Sequence, residues 1–344
     1  MSIQTLNIPL GEESVPAGEE AAIDQIVAIH RDVQEKSDRK LNPVPRGQHP
    51  KQHGCVRAEF IVEPDLPEML RHGVFRESRT YSALIRFSNG RQRDDSKPDV
   101  HGMAIKLLGV EGEKVLESEK DAQTQDFLLI DHPVFFIRNV AGYVPFMKDF
   151  RSIITGGILS KICTGLKFLL SPYQQFRILR AAGSKRPDSP LGIQYWSTTP
   201  IKLGPLAVKF SARPEMAIAD LPDSNSKDKL REAMSAHLQQ REARFDFMVQ
   251  LQTDPVSMPV EDPTVAWDEK VAPYRKVATI RIPIQSFESK EQMEFGENLS
   301  FTPWHALTEH RPLGGINRTR KKVYQEISQR RHELNGVPMQ EPGA

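Results

Sequence analysis

Cysteine is scarce in this chain of 344 residues, and its two cysteines, Cys55 and Cys163, lie far apart in the sequence. This pair provides no disulfide framework and no thiolate metal site. Excess charge is also lacking, because 46 Lys and Arg residues are balanced by 45 Asp and Glu residues. Without a global positive excess, nothing in the composition indicates a nucleic-acid partner. The length is enough to bury a core that could enclose a ligand.

Targeting and membrane-spanning segments are missing as well. Residues 1–20 are polar and acidic and lack the basic and then apolar pattern of a secretory signal, so we expect a cytoplasmic protein. The most apolar stretch, residues 152–170, is interrupted by Lys161, Lys167 and three glycines, which makes it a poor transmembrane span. We expect an amphipathic helix that packs on the protein; a helix lying on a membrane surface is the alternative.

Hydrophobic periodicity gives the order of the elements. A flexible tail (1–20) precedes an amphipathic helix (21 to about 41); strand-like runs follow at 55–62, 81–88, 101–110 and 126–130, a helical section at 140–183, and further strand-like runs at 193–214, 243–253 and 276–284. This order predicts an α+β fold, an antiparallel β-barrel with inserted and C-terminal helices, rather than a doubly wound sheet. We expect one domain over residues 21–338, with the barrel at about 42–290 and the last helix at about 316–335.

That last helix concentrates positive charge around Tyr324. Arg320 precedes this tyrosine by four residues and Arg331 follows it by seven, so all three lie on one helical face. A guanidinium one turn away favours the phenolate, which is a hard anion that ferric haem accepts as an axial ligand. Arg331 suits a bidentate contact with a carboxylate. Taken alone, the spacing is common by chance and fits an exposed tyrosine on a solvated helix.

A second candidate segment, "RGQHPKQHG", precedes the first strand. His49 at a strand edge over a pocket suits general acid–base chemistry, and Arg46 suits an anion. His53 would fit a metal pair with His49 only in a helix, which Pro50 disfavours, so we expect His53 in a surface loop rich in histidine.

Two further stretches carry candidate residues. In "LIRFSNG", Arg86 and Ser88 point to one side of a strand because side chains alternate; an ordinary half-buried strand with an exposed arginine is the alternative. Phe135 and Phe136 follow Pro133, and we expect at least one of the two rings in the core.

Together these stretches resemble the haem catalases. Arg46 and His49 are similar to the catalase R-x-x-H segment, "RFS" and "PVFFIR" match catalase motifs, Arg320, Tyr324 and Arg331 match the proximal helix, and "DVHGMAIKLLG" is similar to the strand D-P-R-G-F-A-V-K-F with His101 in place of its arginine. The motifs follow the same order over roughly residues 40–335. The length is similar to that of the short, catalase-related peroxidase branch.

The resemblance implies a β-barrel of the catalase type, a ferric haem b cofactor and a site residue for each role. It implies Tyr324 as the iron ligand, Arg320 as its modulator, Arg46, Arg86 and Arg331 as partners of the propionates, Phe136 on the distal side of the ring, and Ser88 as the residue that orients His49. His49 would take a proton from hydrogen peroxide or an organic hydroperoxide and return it as a ferryl intermediate forms. The resemblance also allows a homo-oligomer.

The sequence departs from the catalase pattern at one segment. Where catalases have G-N-N-T-P, Ile130 takes the place of the first asparagine and Asp131 that of the second. Asp131 is a catalytic candidate if it assumes the asparagine role through a local shift. An ionised aspartate has no N–H to donate, so this departure argues against rapid catalase turnover rather than against haem binding.

Three alternatives stay open. One is a haem enzyme of the allene oxide synthase type that rearranges fatty-acid hydroperoxides, and another is a haem-binding protein without catalysis, which would not need His49. The third is a zinc hydrolase built from His49, His53 and His101, which would leave the tyrosine helix unexplained.

Overall fold

One antiparallel sheet forms the centre of the structure, a computed structural model that describes residues 9–36, 40–171, 174–216, 226–339 and 341–342. Its strands are β1 (Lys51–Val62), β2 (Thr80–Asn89), β3 (His101–Leu108), β4 (Thr124–Ile130), β5 (Tyr195–Trp196), β6 (Ile201–Leu203), β7 (Leu206–Pro214), β8 (Ala243–Leu251) and β9 (Arg275–Ile282). Neighbours follow the order β5-β4-β3-β2-β1-β9-β8-β7-β6. Because β5 also pairs with β7, all strands except β6 close into a barrel, and β6 extends β7 as a hairpin.

Phenylalanine rings fill the barrel interior. Side chains alternate along each strand, so every second residue points inward. The ring centroid of Phe247 lies 5.0 Å from that of Phe60 and 5.1 Å from that of Phe127, and all three side chains are buried. An interior filled in this way is a packed core, so a ligand site has to be sought outside it.

The α-helices of the described chain lie outside the barrel. They are α1 (Glu19–Lys36), α2 (Val140–Thr155), α3 (Ile158–Leu170), α4 (Gln174–Ala182), α5 (Lys229–Leu238), α6 (Lys290–Asn298) and α7 (Gly315–Asn335). Apolar side chains of α1, α2 and α7, among them Ile26, Phe146 and Ile316, form a second core cluster. Gly336 ends α7 in the left-handed conformation with φ 64°, as is usual after a helix. The long last helix is therefore fixed against the other helices.

Arg318, near the start of α7, ties the N-terminal segment to this helical layer. Its guanidinium contacts Glu13 at 2.7 Å, Glu19 at 2.9 Å and Glu261 at 3.0 Å. Within the predicted tail of residues 1–20, the described part is thus held by ion pairs to α7. The single-domain boundaries at 21 and 338 stay a prediction.

The predicted α+β barrel is confirmed, and each predicted strand run contains at least one strand. The first, second and last predicted helical sections are also present, as α1, as α2 to α4, and as α7. The short helices α5 and α6 were not predicted. Each is about three turns long, so its hydrophobic period is too brief to separate it from a loop.

The expectation for His53 is wrong. This residue is fully buried within β1 rather than in a surface loop, and its Nε2 lies 2.9 Å from Oδ1 of Asn89. The strand begins at Lys51 because that residue already pairs with the end of β2. Tertiary pairing therefore extends the strand beyond the run that the sequence pattern shows.

The apolar stretch at 152–170 consists of the end of α2 and the whole of α3, which Gly156 and Gly157 separate. The helix α3 packs on the protein as expected, through Phe168 against Phe146 of α2, whereas several of its other apolar residues face outward. Among the described residues, none of the helices combines the length and the apolar character needed to cross a membrane.

Candidate active site

His49 is held by three positions at the end of β2. Arg86, Ser88 and Gly90 are spaced by two residues, which puts them on one side of the extended chain. Nη2 of Arg86 donates to the carbonyl of His49 at 3.1 Å, and the N–H of His49 donates to the carbonyl of Gly90 at 2.9 Å. Oγ of Ser88 lies 3.1 Å from Nδ1 of the imidazole. Both the backbone and the ring of His49 are thereby fixed by one strand.

The backbone of His49 is itself unusual, and β3 makes room for its ring. Its φ of 55° lies in the left-handed region that side-chain-bearing residues rarely adopt. Gly102 pairs with Ser88 across the sheet, and a Cβ at Gly102 would lie only 2.6 Å from Nδ1 of His49. The imidazole thus lies on the bare backbone of β3, which only glycine permits.

The surroundings of His49 keep its imidazole neutral. Burial and the Arg86 guanidinium lower the pKa of His49 to about 4, and the more distant charge of Arg320 adds to this effect. The carboxylate of Asp131 acts in the opposite direction. At neutral pH the ring therefore carries a free lone pair and can accept a proton.

Three arginines from different elements converge on Glu297 of α6. Nη2 of Arg86 lies 3.1 Å from one carboxylate oxygen, and Nε of Arg46 lies 3.7 Å from the other. Arg331 of α7 donates from Nη1 to the backbone carbonyl of Glu297 at 3.1 Å. Gln52 supports the group by accepting from Nε of Arg86 at 3.1 Å.

This arginine cluster, formed by Arg46, Arg86 and Arg331, has an excess of buried positive charge. Arg86 and Arg331 are each 3% exposed. Within the described residues, the Glu297 carboxylate pairs with Arg86 and Arg46, whereas Arg331 contacts the backbone carbonyl of Glu297. Burial and the neighbouring Arg86 lower the pKa of Arg46 well below its usual value. In the described structure, the buried Nε of Arg46 has no hydrogen-bond partner. Buried charges require counter-charges, so the cluster is suited to a ligand that brings further negative charge.

The helix α7 brings Arg320 and Tyr324 to the same region. Nη1 of Arg320 donates to Oγ1 of Thr199 at 3.1 Å, and its guanidinium lies 5.2 Å from the ring centre of Phe135. Tyr143 of α2 is near both α7 residues: burial raises the pKa of Tyr143 to about 12, while Arg320 lowers it and Tyr324 raises it. Arg331 of the same helix contacts Glu297, which pairs with Arg86 beside His49, so α7 adjoins the His49 segment.

Aromatic rings line this region beside α7. The ring centroid of Phe136 lies 4.7 Å from that of Phe135 and 5.0 Å from that of Phe146. Phe135 is buried, whereas Phe136, Tyr143 and Tyr324 remain partly exposed. The expectation that at least one of the two neighbouring rings is core is confirmed by Phe135.

Asp131 is bound to His101, and both are positions at which the sequence departs from the catalase motifs. One carboxylate oxygen accepts from the backbone N–H of His101 at 3.0 Å, and the other lies 2.8 Å from its Nδ1. Lys185 lies 4.0 Å from the second oxygen. Both side chains of the pair are buried. The two departures are therefore partners of each other, and the catalytic role of Asp131 stays a prediction.

Sequence reasoning missed four residues of the site. They are Gly102, Tyr143, Thr199 and Glu297. Gly102 lies inside the strand that had been matched, where a glycine in a strand could have signalled a close approach. Nothing local marks Glu297, because its role arises only when α6 meets the three arginines.

The zinc alternative finds no support in the arrangement of side chains. Throughout the residues that the structure describes, no group of three or more His, Cys, Asp and Glu side chains is placed to hold a metal ion. His53 is instead bonded to Asn89, and His101 is bonded to Asp131.

Comparison with known proteins agrees with this geometry. The chain is 30% identical over 249 residues to a catalase-related peroxidase of Mycolicibacterium paratuberculosis (strain ATCC BAA-968 / K-10), which covers 64% of this chain and 72% of that relative. No family model matches.

Solved catalases share the fold. A fungal catalase superposes with a TM-score of 0.63 at 17% identity and covers 96% of this chain and 68% of its own. Catalase A from Saccharomyces cerevisiae superposes with a TM-score of 0.62 at 17% identity, and the match covers 98% of this chain and 72% of that catalase. A bacterial catalase superposes with a TM-score of 0.57 at 15% identity, and the match covers 97% of this chain and 68% of that catalase. The chain belongs to the haem catalase superfamily, and its similarity in sequence is to the catalase-related peroxidases.

The close approach of Gly102 to His49 leads to a test by substitution. In Gly102→Ala the new methyl group collides with the imidazole, so we expect a loss of about 1–3 kcal/mol in the free energy of unfolding. The displaced ring leaves its buried position, and the pKa of His49 should rise from about 4 towards its ordinary value. Urea unfolding and NMR titration of the histidine rings measure both effects.

Gly165→Ala is the matched control, because no atom lies within 4 Å of the Cβ position in α3. This variant should be up to about 1 kcal/mol more stable than the parent. Unchanged stability of Gly102→Ala together with an unchanged His49 titration would contradict the assignment.

Proposed function

We propose that this protein is a haem-dependent enzyme that decomposes hydrogen peroxide or an organic hydroperoxide. The observation that carries the proposal is the arginine cluster, whose excess positive charge lies beside His49. The catalase-related peroxidase to which the chain is similar supports peroxide as the substrate.

The residues present fit haem b, which carries two propionate groups on one edge. Among the described residues, Glu297 is the acidic residue in contact with Arg46, Arg86 and Arg331, so two further carboxylates would neutralise the cluster. Nε of Arg46 lies 3.7 Å from Glu297 and has no hydrogen-bond partner in the described structure, so it is a donor suited to one of them. Guanidiniums hold carboxylates through short charge-assisted hydrogen bonds, which suits these residues to the propionates.

Tyr324 is the residue that we assign to the haem iron. Arg320 precedes it by one helical turn on the same face of α7. The neighbouring Tyr143 has its pKa raised to about 12, chiefly by burial, so it stays a neutral phenol and a poor ligand. Phe136, partly exposed and with its ring tilted against that of Phe135, would line the distal face of the haem.

His49 moves the proton in this proposal. The haem, when bound, supplies the redox-active iron at which the O–O bond is cleaved. Since Nδ1 of His49 is engaged by Ser88, Nε2 is the nitrogen left to the substrate. Nε2 takes the proton from one oxygen of the peroxide and returns it to the other oxygen, which leaves as water or as an alcohol.

The scaffold keeps His49 ready for this transfer. Its neutral state leaves the lone pair available, because its pKa is held at about 4 by burial and Arg86. Ser88 and Gly102 confine the ring, and the contacts to Arg86 and Gly90 confine its backbone. Such fixation lowers the reorganisation that proton transfer would otherwise require.

Among the activities that fit, we propose peroxidase turnover over rapid release of oxygen. Ile130 stands where catalases have an asparagine and offers no hydrogen bond to a second peroxide. Asp131 cannot replace that amide directly while His101 engages both of its oxygens.

A second candidate, rearrangement of an organic hydroperoxide, is favoured by one further observation. A series of rings leads from Phe136 through Phe146 to Phe168 of α3, with centroids 5.0 and 5.4 Å apart. An apolar path of this kind suits an organic substrate. Oxygen evolution, dye oxidation and hydroperoxide consumption, assayed in parallel on one haem-loaded sample, distinguish the three activities.

Substitution of the tyrosines tests the ligand assignment. Tyr324→Phe removes the phenolate, so the protein should purify with less than about a tenth of the haem of the parent. Tyr143→Phe removes the neighbouring hydroxyl without touching the ligand and should keep its haem. Absorbance in the Soret region and iron content after gel filtration measure both variants. If Tyr143→Phe lost its haem while Tyr324→Phe stayed fully loaded with haem, Tyr143 rather than Tyr324 would be the iron ligand.

Replacement of His49 tests the proton transfer. His49→Ala should retain haem but react with peroxide about 10²–10⁴ times more slowly in stopped flow. His72→Gln, at a half-buried histidine paired with Glu309, is the control and should react at the parental rate.

The pH dependence of the parent enzyme provides an independent readout of the same residue. Protonation removes the lone pair of His49, and with a pKa of about 4 the rate should stay constant down to about pH 5 and fall only below it. An acid limb centred near pH 6.5, or an unchanged rate in His49→Ala, would remove His49 from the mechanism.

A further inference from the structure

The helix α3 presents an apolar stripe to the outside of the protein. Its members are Ile158, Leu159, Ile162 and Leu166, whose exposed fractions are 81%, 74%, 54% and 49%. Residues at these offsets fall on one face of an α-helix, so they form one continuous surface rather than scattered exposures. Single exposed apolar residues are ordinary, whereas a contiguous patch marks an interaction site.

The stripe is not the result of a helix that has lost contact with the protein. The opposite face of α3 carries Phe168, whose ring centroid lies 5.4 Å from that of Phe146 and 4.8 Å from that of Phe176. Lys167 forms an ion pair with Asp149 of α2. The helix is therefore attached by one face while its apolar face points away.

Positive charge surrounds the stripe. Lys161 and Lys167 lie on its two sides in the helical projection, and α3 contains no acidic residue. Residues 140–186 contain eight basic residues and one acidic residue, a net charge of +7. Because the whole chain carries +1, the remaining residues carry −6. Within the described chain, Lys148, Lys161 and Arg177 have no ion-pair partner, which leaves their charge available.

We propose that α3 docks this protein on the surface of an anionic lipid bilayer. The stripe would enter the boundary between headgroups and acyl chains, and Lys161 beside it would contact lipid phosphates. The helix has 13 residues, about 20 Å in length, which is too short to cross a hydrocarbon core of about 30 Å. It therefore lies on the bilayer and does not span it.

Charge selects a bilayer over a second copy of the chain as the occupant. Pairing two α3 stripes would bring two segments of net charge +7 together, and like charges at close range disfavour association. An anionic bilayer offers apolar depth for the stripe and negative charge for the lysines around it.

Docking would place the candidate active site near lipid substrates. The ring series from Phe168 through Phe146 to Phe136 connects α3 with the predicted haem pocket. This consequence, that the hydroperoxides of membrane lipids are the substrate class, rests on the proposed function. The docking itself rests on α3 alone and does not require haem.

The two cysteines of the chain allow a direct test. Cys163 lies on α3 and is exposed, whereas Cys55 is buried, so a polarity-sensitive thiol dye labels Cys163 in the native full-length protein. With phosphatidylcholine vesicles containing 30% phosphatidylglycerol, we expect a blue shift of the dye emission and co-flotation of the protein. Pure phosphatidylcholine vesicles should give neither. Raising the salt from 0.05 to 0.5 M should weaken binding about tenfold.

Variants distinguish binding through the stripe from nonspecific binding through other exposed apolar residues. Serine at all four positions, Ile158→Ser, Leu159→Ser, Ile162→Ser and Leu166→Ser, should lower the vesicle partition coefficient at least about 100-fold. Serine at three exposed apolar positions elsewhere, Val256→Ser, Val271→Ser and Ile284→Ser, should leave it unchanged. A Cys163→Ser, Val271→Cys protein should show no blue shift. An unchanged circular dichroism spectrum shows that each variant is folded.

Three results would overturn the proposal. These are the absence of binding to anionic vesicles, equal binding to neutral vesicles, and self-association in sedimentation that the α3 serine variant abolishes. The last result would identify a second copy as the occupant. Because each readout is independent of haem and of turnover, failure of the docking and failure of the proposed function are distinguishable.

Discussion

Three guanidiniums gathered around a single glutamate are the constraint on which the rest of the site depends. Arg46, Arg86 and Arg331 come from the segment before β1, from β2 and from α7, and among the described residues Glu297 is the acidic side chain in contact with them. A cluster with this excess charge is stable only with further anionic partners. The same Arg86 holds the backbone of His49 and lowers its pKa, so anion binding and proton transfer depend on one residue.

The site is assembled at the outside of a barrel whose interior is filled. Phenylalanines occupy the core, so β2 and β3 offer their outer surface to His49, and the helices close the region from the other side. The bare backbone at Gly102 and the left-handed φ of His49 show that the protein tolerates local strain to fix this ring. Fixed in this way and kept neutral, the imidazole has the properties of a proton acceptor.

Much of this arrangement could be predicted from the sequence. The rest could not, for physical reasons. Strand alternation put Arg86 and Ser88 on one side, and helical spacing put Arg320, Tyr324 and Arg331 on one face. His53 was misjudged because prolines nearby suggested a loop, while pairing with β2 extends β1 as far as Lys51. Glu297 and Thr199 could not be foreseen, since they contact Arg86 and Arg320 only through the tertiary fold. The partnership of His101 with Asp131 explains two sequence departures that looked independent.

The central claim is that the arginine cluster is built for the two carboxylates of haem, and esterified haem tests it most directly. Ferric protoporphyrin and its dimethyl ester differ only in those carboxylates, so titration of the apoprotein with each, followed by absorbance, isolates their contribution. The account predicts binding of one haem per chain and an affinity for the ester that is at least about 100-fold weaker. Equal affinity for the two compounds, or no binding of either, would contradict it.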